Sequence, residues 1–161
     1  METRGNLHRD GGNARRTESG ASLVEFALVV PLLLALVFGI IEASWAFAQQ
    51  NDVRHGAREG ARLAAVDFGT AGAIANEVCD RMDVVNPAEG ITVTLSGAGT
   101  HPGEPGAIAT IRVEANLQTL TGFFPGLFGG TVSSEVEFRT EQPASGAPAW
   151  WGSSGAVPCS S

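Results

Sequence analysis

The sequence predicts an α+β protein in which a long N-terminal transmembrane helix leads to a small antiparallel-sheet head with one short helix. Three observations predict this fold class. An apolar run without polar side chains extends from Phe26 to Ile41. A helical repeat of small and apolar residues follows it as far as Val66, and three later segments alternate polar and apolar residues with a period of two. A chain of 161 residues is long enough for an anchor and one such domain.

Composition divides the chain into four regions. Residues 1–20 are polar, cannot bury a core and form a leader. Residues 21–66 form the long helix, which spans a membrane over about 21–42. Residues 67–141 form the α+β head, and residues 142–161, rich in Pro, Gly, Ser and Ala, form a flexible tail.

The first half of the helix has the composition of a membrane-spanning segment. With Ala21 in front of it, the apolar run approaches the ~20 residues that are needed to cross the hydrocarbon layer. Pro31 lies inside the run, and membrane-spanning helices tolerate proline. Trp45 and Phe47 follow the run, where aromatic side chains mark the interface on the far side of the membrane.

The distribution of charge predicts the orientation and excludes a class of partner. Arg15 and Arg16 precede the apolar run, so the N-terminus is expected in the cytoplasm and the head outside. Residues 67–161 hold three arginines and ten acidic residues, within a chain of net charge −7. Because a nucleic-acid binder needs a positive surface, we expect no nucleic-acid partner.

Small residues indicate close packing along the second half of the helix. One helical stripe is formed by Val53, Ala57, Ala61 and Ala64. Gly56 and Gly60 accompany it, although a glycine inside a helix costs about 1 kcal/mol relative to alanine. The two glycines therefore predict close helix packing, either on this protein's own sheet or on another subunit.

Three arginines at four-residue spacing form a second pattern on the same helix. Arg54, Arg58 and Arg62 repel one another by a few tenths of a kcal/mol at this spacing, and Glu59 offsets only part of that repulsion. The stripe is either a solvated helix face or a surface for a partner's acidic groups or for lipid headgroups.

The head begins with a short helix whose apolar face consists of Ala71, Ile74, Ala75, Val78 and Met82. Alternating patterns then predict strands around Ile91–Leu95, Ala107–Ala115 and Val132–Arg139, in a sheet with one face in water. Between the last two strands lies a dense apolar segment, Leu117–Phe128. We expect it to cover the core, with an exposed patch for a partner or a membrane surface as the alternative.

Cysteine and histidine placement says little about chemistry. Cys79 and Cys159 would face an oxidising space if the head is external, which makes a disulfide that ties down the tail plausible. The alternative is a buried Cys79 and a free thiol in the tail. His55 and the other two histidines have no metal-site or triad spacing, so we expect no metal, no cofactor, no small-molecule substrate and no catalytic activity.

Glu25 is the one carboxylate at the start of the apolar run, and a charge there is costly in hydrocarbon. One interpretation is a capping box, in which Ser22 starts the helix and Glu25 bonds back to it. In the other, the chain is cut after Gly20 and Ala21 carries a new α-amino charge. Glu25 would then pair with that charge or with the amine of a neighbouring helix, a strong pairing at low dielectric.

The residues from Gly20 to Glu25-Phe26, followed by the apolar run, resemble the site of type IV prepilin peptidase. The segments Val24–Leu34, Gly39–Glu42 and Ala57–Arg62 resemble the TadE-like family, minor pilin-like proteins of tight-adherence (Flp, type IVb) pilus systems. Weaker similarity continues in Ile111–Val113 and at residues 133–141. The chain departs from many family members in having no tyrosine.

The resemblance implies a pilin-like fold and a single-pass protein of the bacterial cell membrane. Its partners would be the lipid bilayer, other pilins, tight-adherence assembly proteins and prepilin peptidase. The resemblance also makes Glu42 a candidate position for helix packing or for contact with a partner. Two alternatives remain: an uncut, membrane-anchored binding domain, or a secreted protein cut after Ala48, because Ala46-Phe47-Ala48 matches an A-x-A signal.

Overall fold

The computed structural model describes residues 14–66, 69–85, 90–98, 106–141 and 155–159, with side chains from Gly20 onward. Its α+β content confirms the predicted fold class. The elements in chain order are α1 (Ala14–Ala65), α2 (Ala71–Asp80), β1 (Thr92–Ala98), β2 (Ile108–Leu117), the single turn α3 (Pro125–Phe128), β3 (Gly130–Arg139) and β4 (Val157–Pro158).

The chain forms two compact units, residues 1–40 and 41–161, and their boundary falls inside α1. The helix begins at Ala14, before the expected start at Ala21, and it ends at Ala65, where the helical pattern of the sequence also ends. In the first unit the large apolar side chains from Leu23 to Ile40 are mostly exposed. Among the described residues α1 is the one helix long and apolar enough to cross a membrane, and it fits a single-pass anchor.

The second unit is built on an antiparallel sheet with the strand order β3-β2-β1-β4. Ile111 on β2 lies opposite Leu95 on β1 and Val136 on β3, and this register gathers the apolar side chains on one face. On the other face Arg112 pairs with Glu114 at 2.7 Å and approaches Glu135 at 3.9 Å. The hydrogen bond from Arg112 to Glu114 raises the pKa of the guanidinium. One side of the sheet is therefore apolar and the other charged, as the alternating pattern predicts.

The core of the second unit lies between the sheet and two helices. The small-residue stripe predicted on α1 is buried, and so is the predicted apolar face of α2. Thr70 caps α2, because its hydroxyl accepts a hydrogen bond from the backbone N–H of Ala73 at 3.2 Å. The backbone N–H of Glu141 donates to the carbonyl of Ala65 at 2.9 Å, which satisfies one of the free carbonyl groups at the end of α1.

The C-terminal residues differ from the flexible tail expected for residues 142–161. Val157 and Pro158 form β4 and pair with Val93 and Thr92 of β1. Cys159 is joined by a disulfide to Cys79 of α2, with Cα atoms 6.0 Å apart and a sequence separation of 80. The middle of the expected tail, residues 142–154, lies outside the described residues.

Candidate functional site on the long helix

The four residues of the expected processing site lie on α1 in its first unit. Gly20, Ala21, Glu25 and Phe26 are all exposed. A Cβ added at Gly20 would meet no atom within 4 Å. Packing among the described residues therefore gives no reason for a glycine at this position, although glycine weakens a helix interior.

Glu25 does not sit in the first turn of α1. The capping box requires a helix that begins near Ser22, whereas α1 begins at Ala14, so the capping-box interpretation is wrong for this helix. The carboxylate is exposed, and the side chains described around it provide neither a hydrogen bond nor an ion pair. Glu25 is thus an exposed charge on an otherwise apolar helix surface, without a bonding partner among the described side chains.

Glu42, the next carboxylate on α1, has the opposite environment. Its side chain is 1% exposed. Its Oε2 accepts hydrogen bonds from the backbone N–H of Thr121 at 3.0 Å and from the Thr121 hydroxyl at 2.7 Å. Its Oε1 is buried without a hydrogen-bond partner among the described residues. The candidate partner-contacting residue Glu42 therefore serves a contact within the head.

Two more polar side chains of α1 hold backbone of the head. Gln49 donates from Nε2 to the carbonyl of Gln118 at 2.8 Å and accepts at Oε1 from the N–H of Gln118 at 2.8 Å. Asp52 accepts from the N–H groups of Val84 at 2.9 Å and Val85 at 3.0 Å. With Glu42, these side chains clamp two segments of the head against one helix.

The hydrogen bonds by which Gln49 and Asp52 clamp the head were not predicted from the sequence. A signal was available, because Glu42 and Gln49 lie seven residues apart and continue the stripe that starts at Val53. Buried polar groups need hydrogen-bond partners, so polar residues on a buried stripe predict such contacts. The identity of the partners, Gln118 and Thr121, could not be read from periodicity.

The two glycines in the second half of α1 pack on the protein's own head. A Cβ added at Gly56 would lie 2.6 Å from Sδ of Met82. One added at Gly60 would overlap Cδ1 of Ile111 and lie 2.7 Å from Cγ2 of Val78. Of the two possibilities left open by the sequence, close packing on the protein's own sheet and short helix is the one observed.

The arginine stripe divides into paired and unpaired members. Arg62 binds Glu59 at 2.7 Å, and Arg81 of the head approaches the same carboxylate at 3.8 Å. The hydrogen bond from Arg62 lowers the pKa of Glu59, against the effect of partial burial, and the same bond raises the pKa of Arg62. Arg54 and Arg58 are exposed and form no ion pair within the described part of the chain.

The apolar segment between β2 and β3 covers the core only in part. Leu117, Phe124 and Phe128 are half-buried, but Leu120, Phe123 and Leu127 are 56%, 63% and 73% exposed. A groove of about 280 Å³ lies beside the segment. Its lining is uncharged and consists of Ala43, Ala46, Phe47, Gln50, Leu117, Phe128, Thr131 and Val132.

The family resemblance implies an apolar helix that starts with the pattern from Gly20 to Glu25. In the structure this helix is exposed in its first half and packed in its second. Residues 20–62 match the TadE-like protein family. The match confirms the resemblance over these residues. It includes Gly20, Glu25 and Glu42, and it ends before α2, so most of the head lies outside the TadE-like region.

No curated protein and no solved structure matches the chain. Among the described residues, no group of three or more His, Cys, Asp or Glu side chains is placed to hold a metal ion.

Proposed function

We propose that this protein is a minor pilin-like structural or assembly protein of a tight-adherence pilus. It is held in the bacterial cell membrane by the first half of α1, with its N-terminus in the cytoplasm and its head outside. The observation that carries the proposal is the TadE-like match over residues 20–62, which coincides with an exposed apolar helix bearing an unused carboxylate at Glu25.

The physical argument rests on the energetic cost of Glu25. A charged side chain near the centre of a membrane-spanning helix costs about 2.5–3.5 kcal/mol on insertion scales, and less near the interface. For Glu42 the bonds from Thr121 offset part of the cost of burial, whereas Glu25 has no such bonds among the described side chains. The α-amino group of Ala21, on the same or a neighbouring subunit, would pair with Glu25 and offset this cost.

Cleavage by prepilin peptidase after Gly20 supplies that amine. Gly20 weakens the helix and makes no contact that a Cβ would disturb, so recognition by a peptidase is a better reason for it than packing. The N-terminal residue of the membrane-extracted protein distinguishes the alternatives: Ala21 supports this proposal, Met1 an uncut anchored domain, and Gln49 a secreted protein. Gly20→Val should abolish the shortening, while Gly39→Val, at another contact-free glycine of α1, should not.

The assembly role is tested by Glu25→Ala in cells that carry the pilus system. We expect normal membrane insertion and normal protein abundance, because removing a charge eases insertion and no contact in the head is lost. We expect far fewer fibres per cell, because subunit pairing through the amine is lost. Val29→Ala, one turn further along the same exposed helix face, is the control that should leave piliation unchanged. Normal fibre counts in Glu25→Ala cells would contradict the proposal.

A further inference from the structure

We propose that the apolar loop, defined as residues 118–129, dips into the head-side leaflet of the bilayer that holds α1. The loop would give the head a second membrane contact. This inference rests on membrane anchoring by α1, but it does not depend on a role in pili.

The first observation is the exposure of large apolar side chains on the apolar loop. Leu120, Phe123 and Leu127 each expose more than half of their surface. Single exposed apolar residues are common on protein surfaces, but a group of them on one loop marks an interaction surface. Phe47 of α1, which lines the groove beside the loop, is exposed as well.

The second observation is the absence of charge. No Asp, Glu, Lys, Arg or His occurs in residues 115–134, within a chain whose net charge is −7. The eight side chains that line the neighbouring groove are also uncharged. Charged side chains are costly in a bilayer, so a loop that enters the bilayer must lack them. Residues 115–134 meet this requirement.

The third observation is where the clamps hold the apolar loop. Glu42 binds Thr121 and Gln49 binds Gln118, so the loop begins beside residues 42–49 of α1. Glu42 follows Ile41, the last residue of the apolar run, by one residue, which is ~1.5 Å along a helix axis. Residues 42–49 therefore begin where the apolar run ends, and they include Trp45 and Phe47, residue types that favour the membrane interface.

The placement of charge along α1 agrees with this level of insertion. Between Glu25 and Asp52 the helix carries one charged side chain, Glu42, and it is buried. The first fully exposed charge after the apolar run is Arg54, ~20 Å beyond Ile41 at 1.5 Å per residue. An uncharged surface thus extends along α1 from Ala43 to Asn51, and the clamps of Glu42 and Gln49 hold the start of the apolar loop beside it. This continuity selects the bilayer as the occupant of the exposed loop surface.

The test uses the full-length protein reconstituted in phosphatidylcholine–phosphatidylglycerol vesicles. Leu127→Cys carries an environment-sensitive fluorophore, since the natural cysteines are joined in a disulfide. Ser96→Cys is the matched control, an exposed position on β1. Ser96 pairs with Thr110, which lies ~23 Å along β2 from Leu117 at ~3.3 Å per residue. Aqueous iodide and nitroxide-labelled lipids serve as quenchers.

We expect the label at position 127 to be several-fold less sensitive to iodide than the label at position 96, and to be quenched by the nitroxide lipids. Glu42→Ala in the Leu127→Cys background should reduce this protection, because it releases Thr121. Equal iodide quenching at the two positions would overturn the proposal. It is the result expected if a partner protein, and not lipid, covers the loop in cells. Vesicle flotation tests anchoring separately; if the protein does not float, anchoring fails and this proposal falls with it.

Discussion

The two parts of α1 differ in the side chains that they carry and in which of them are buried. Residues 20–40 expose most of their large apolar side chains. Residues 41–65 bury small side chains such as Val53 and Ala57 completely, and their buried polar groups bind backbone of the head. The difference teaches that one helix can carry two kinds of surface, an exposed apolar surface over residues 20–40 and a surface packed in a protein core over residues 41–65.

The two glutamates of α1 show the same difference in a single residue type. Glu25 is exposed on the apolar surface, while Glu42 is buried under the apolar loop and accepts two hydrogen bonds from Thr121. The same residue type is therefore hydrogen-bonded within the fold at one position and exposed at the other. Substitutions matched across the two parts of the helix test this comparison.

The largest effect is expected at the glycines. Gly60→Val should lower the free energy of unfolding of the head by about 3 kcal/mol, because the added methyl groups collide with Ile111 and Val78 in a filled core. Gly39→Val should change it by less than about 0.5 kcal/mol, because a Cβ there meets no atom within 4 Å. Denaturant unfolding of the two detergent-solubilised variants measures both values. Equal losses would refute the division of α1 into a packed and an unpacked part.

A smaller effect is expected at Glu42. Glu42→Ala removes the acceptor for the Thr121 N–H and hydroxyl, which should cost about 1–3 kcal/mol. Hydrogen exchange should accelerate at Thr121 and its neighbours in the apolar loop. The N–H groups of Val84 and Val85, which are held by Asp52, should keep their protection.

Glu25→Ala provides the matched comparison for the clamp at Glu42. It should leave hydrogen exchange throughout the head unchanged, because Glu25 binds none of the described side chains. Acceleration at Thr121 in the Glu25 variant, or unchanged exchange there in the Glu42 variant, would contradict the assignment of the clamp.

The smallest effect concerns the ion pairs of α1 and depends on pH. The bond from Arg62 lowers the pKa of Glu59, so the bound carboxylate stabilises the folded state above its ordinary pKa of 4.5. That contribution is lost as the pH falls through the lowered pKa. Glu59→Gln should cost no more than about 0.5 kcal/mol at pH 7, because Arg62 is largely exposed.

The difference between the wild type and Glu59→Gln should vanish in acid. Melting temperatures at pH 7 and at a pH well below 4.5 measure the two limits. Arg54→Gln, at an arginine that forms no ion pair within the described residues, should show no such dependence on pH. A difference for Glu59→Gln that persists in acid would contradict the ion-pair explanation.

Periodicity alone predicted most of the architecture. The end of α1, the buried stripe from Val53 to Ala64, the apolar face of α2 and the three long strands follow from the spacing of apolar residues. The TadE-like match agrees with the family suggested by the residues from Gly20 onward. The short strand β4 was not predicted, because Val157 and Pro158 carry no alternating pattern and depend on β1 for pairing.

The sequence by itself determined the longer helical and extended segments and which of their surfaces are apolar, because those properties depend on residues two to four positions apart in the chain. Only the tertiary structure decided how individual polar groups are used. It separated Glu42 from Glu25, because the hydrogen bonds of Glu42 depend on groups brought close by folding: Glu42 and Thr121 are separated by 79 positions in the chain. Contacts of that range leave no periodic signal.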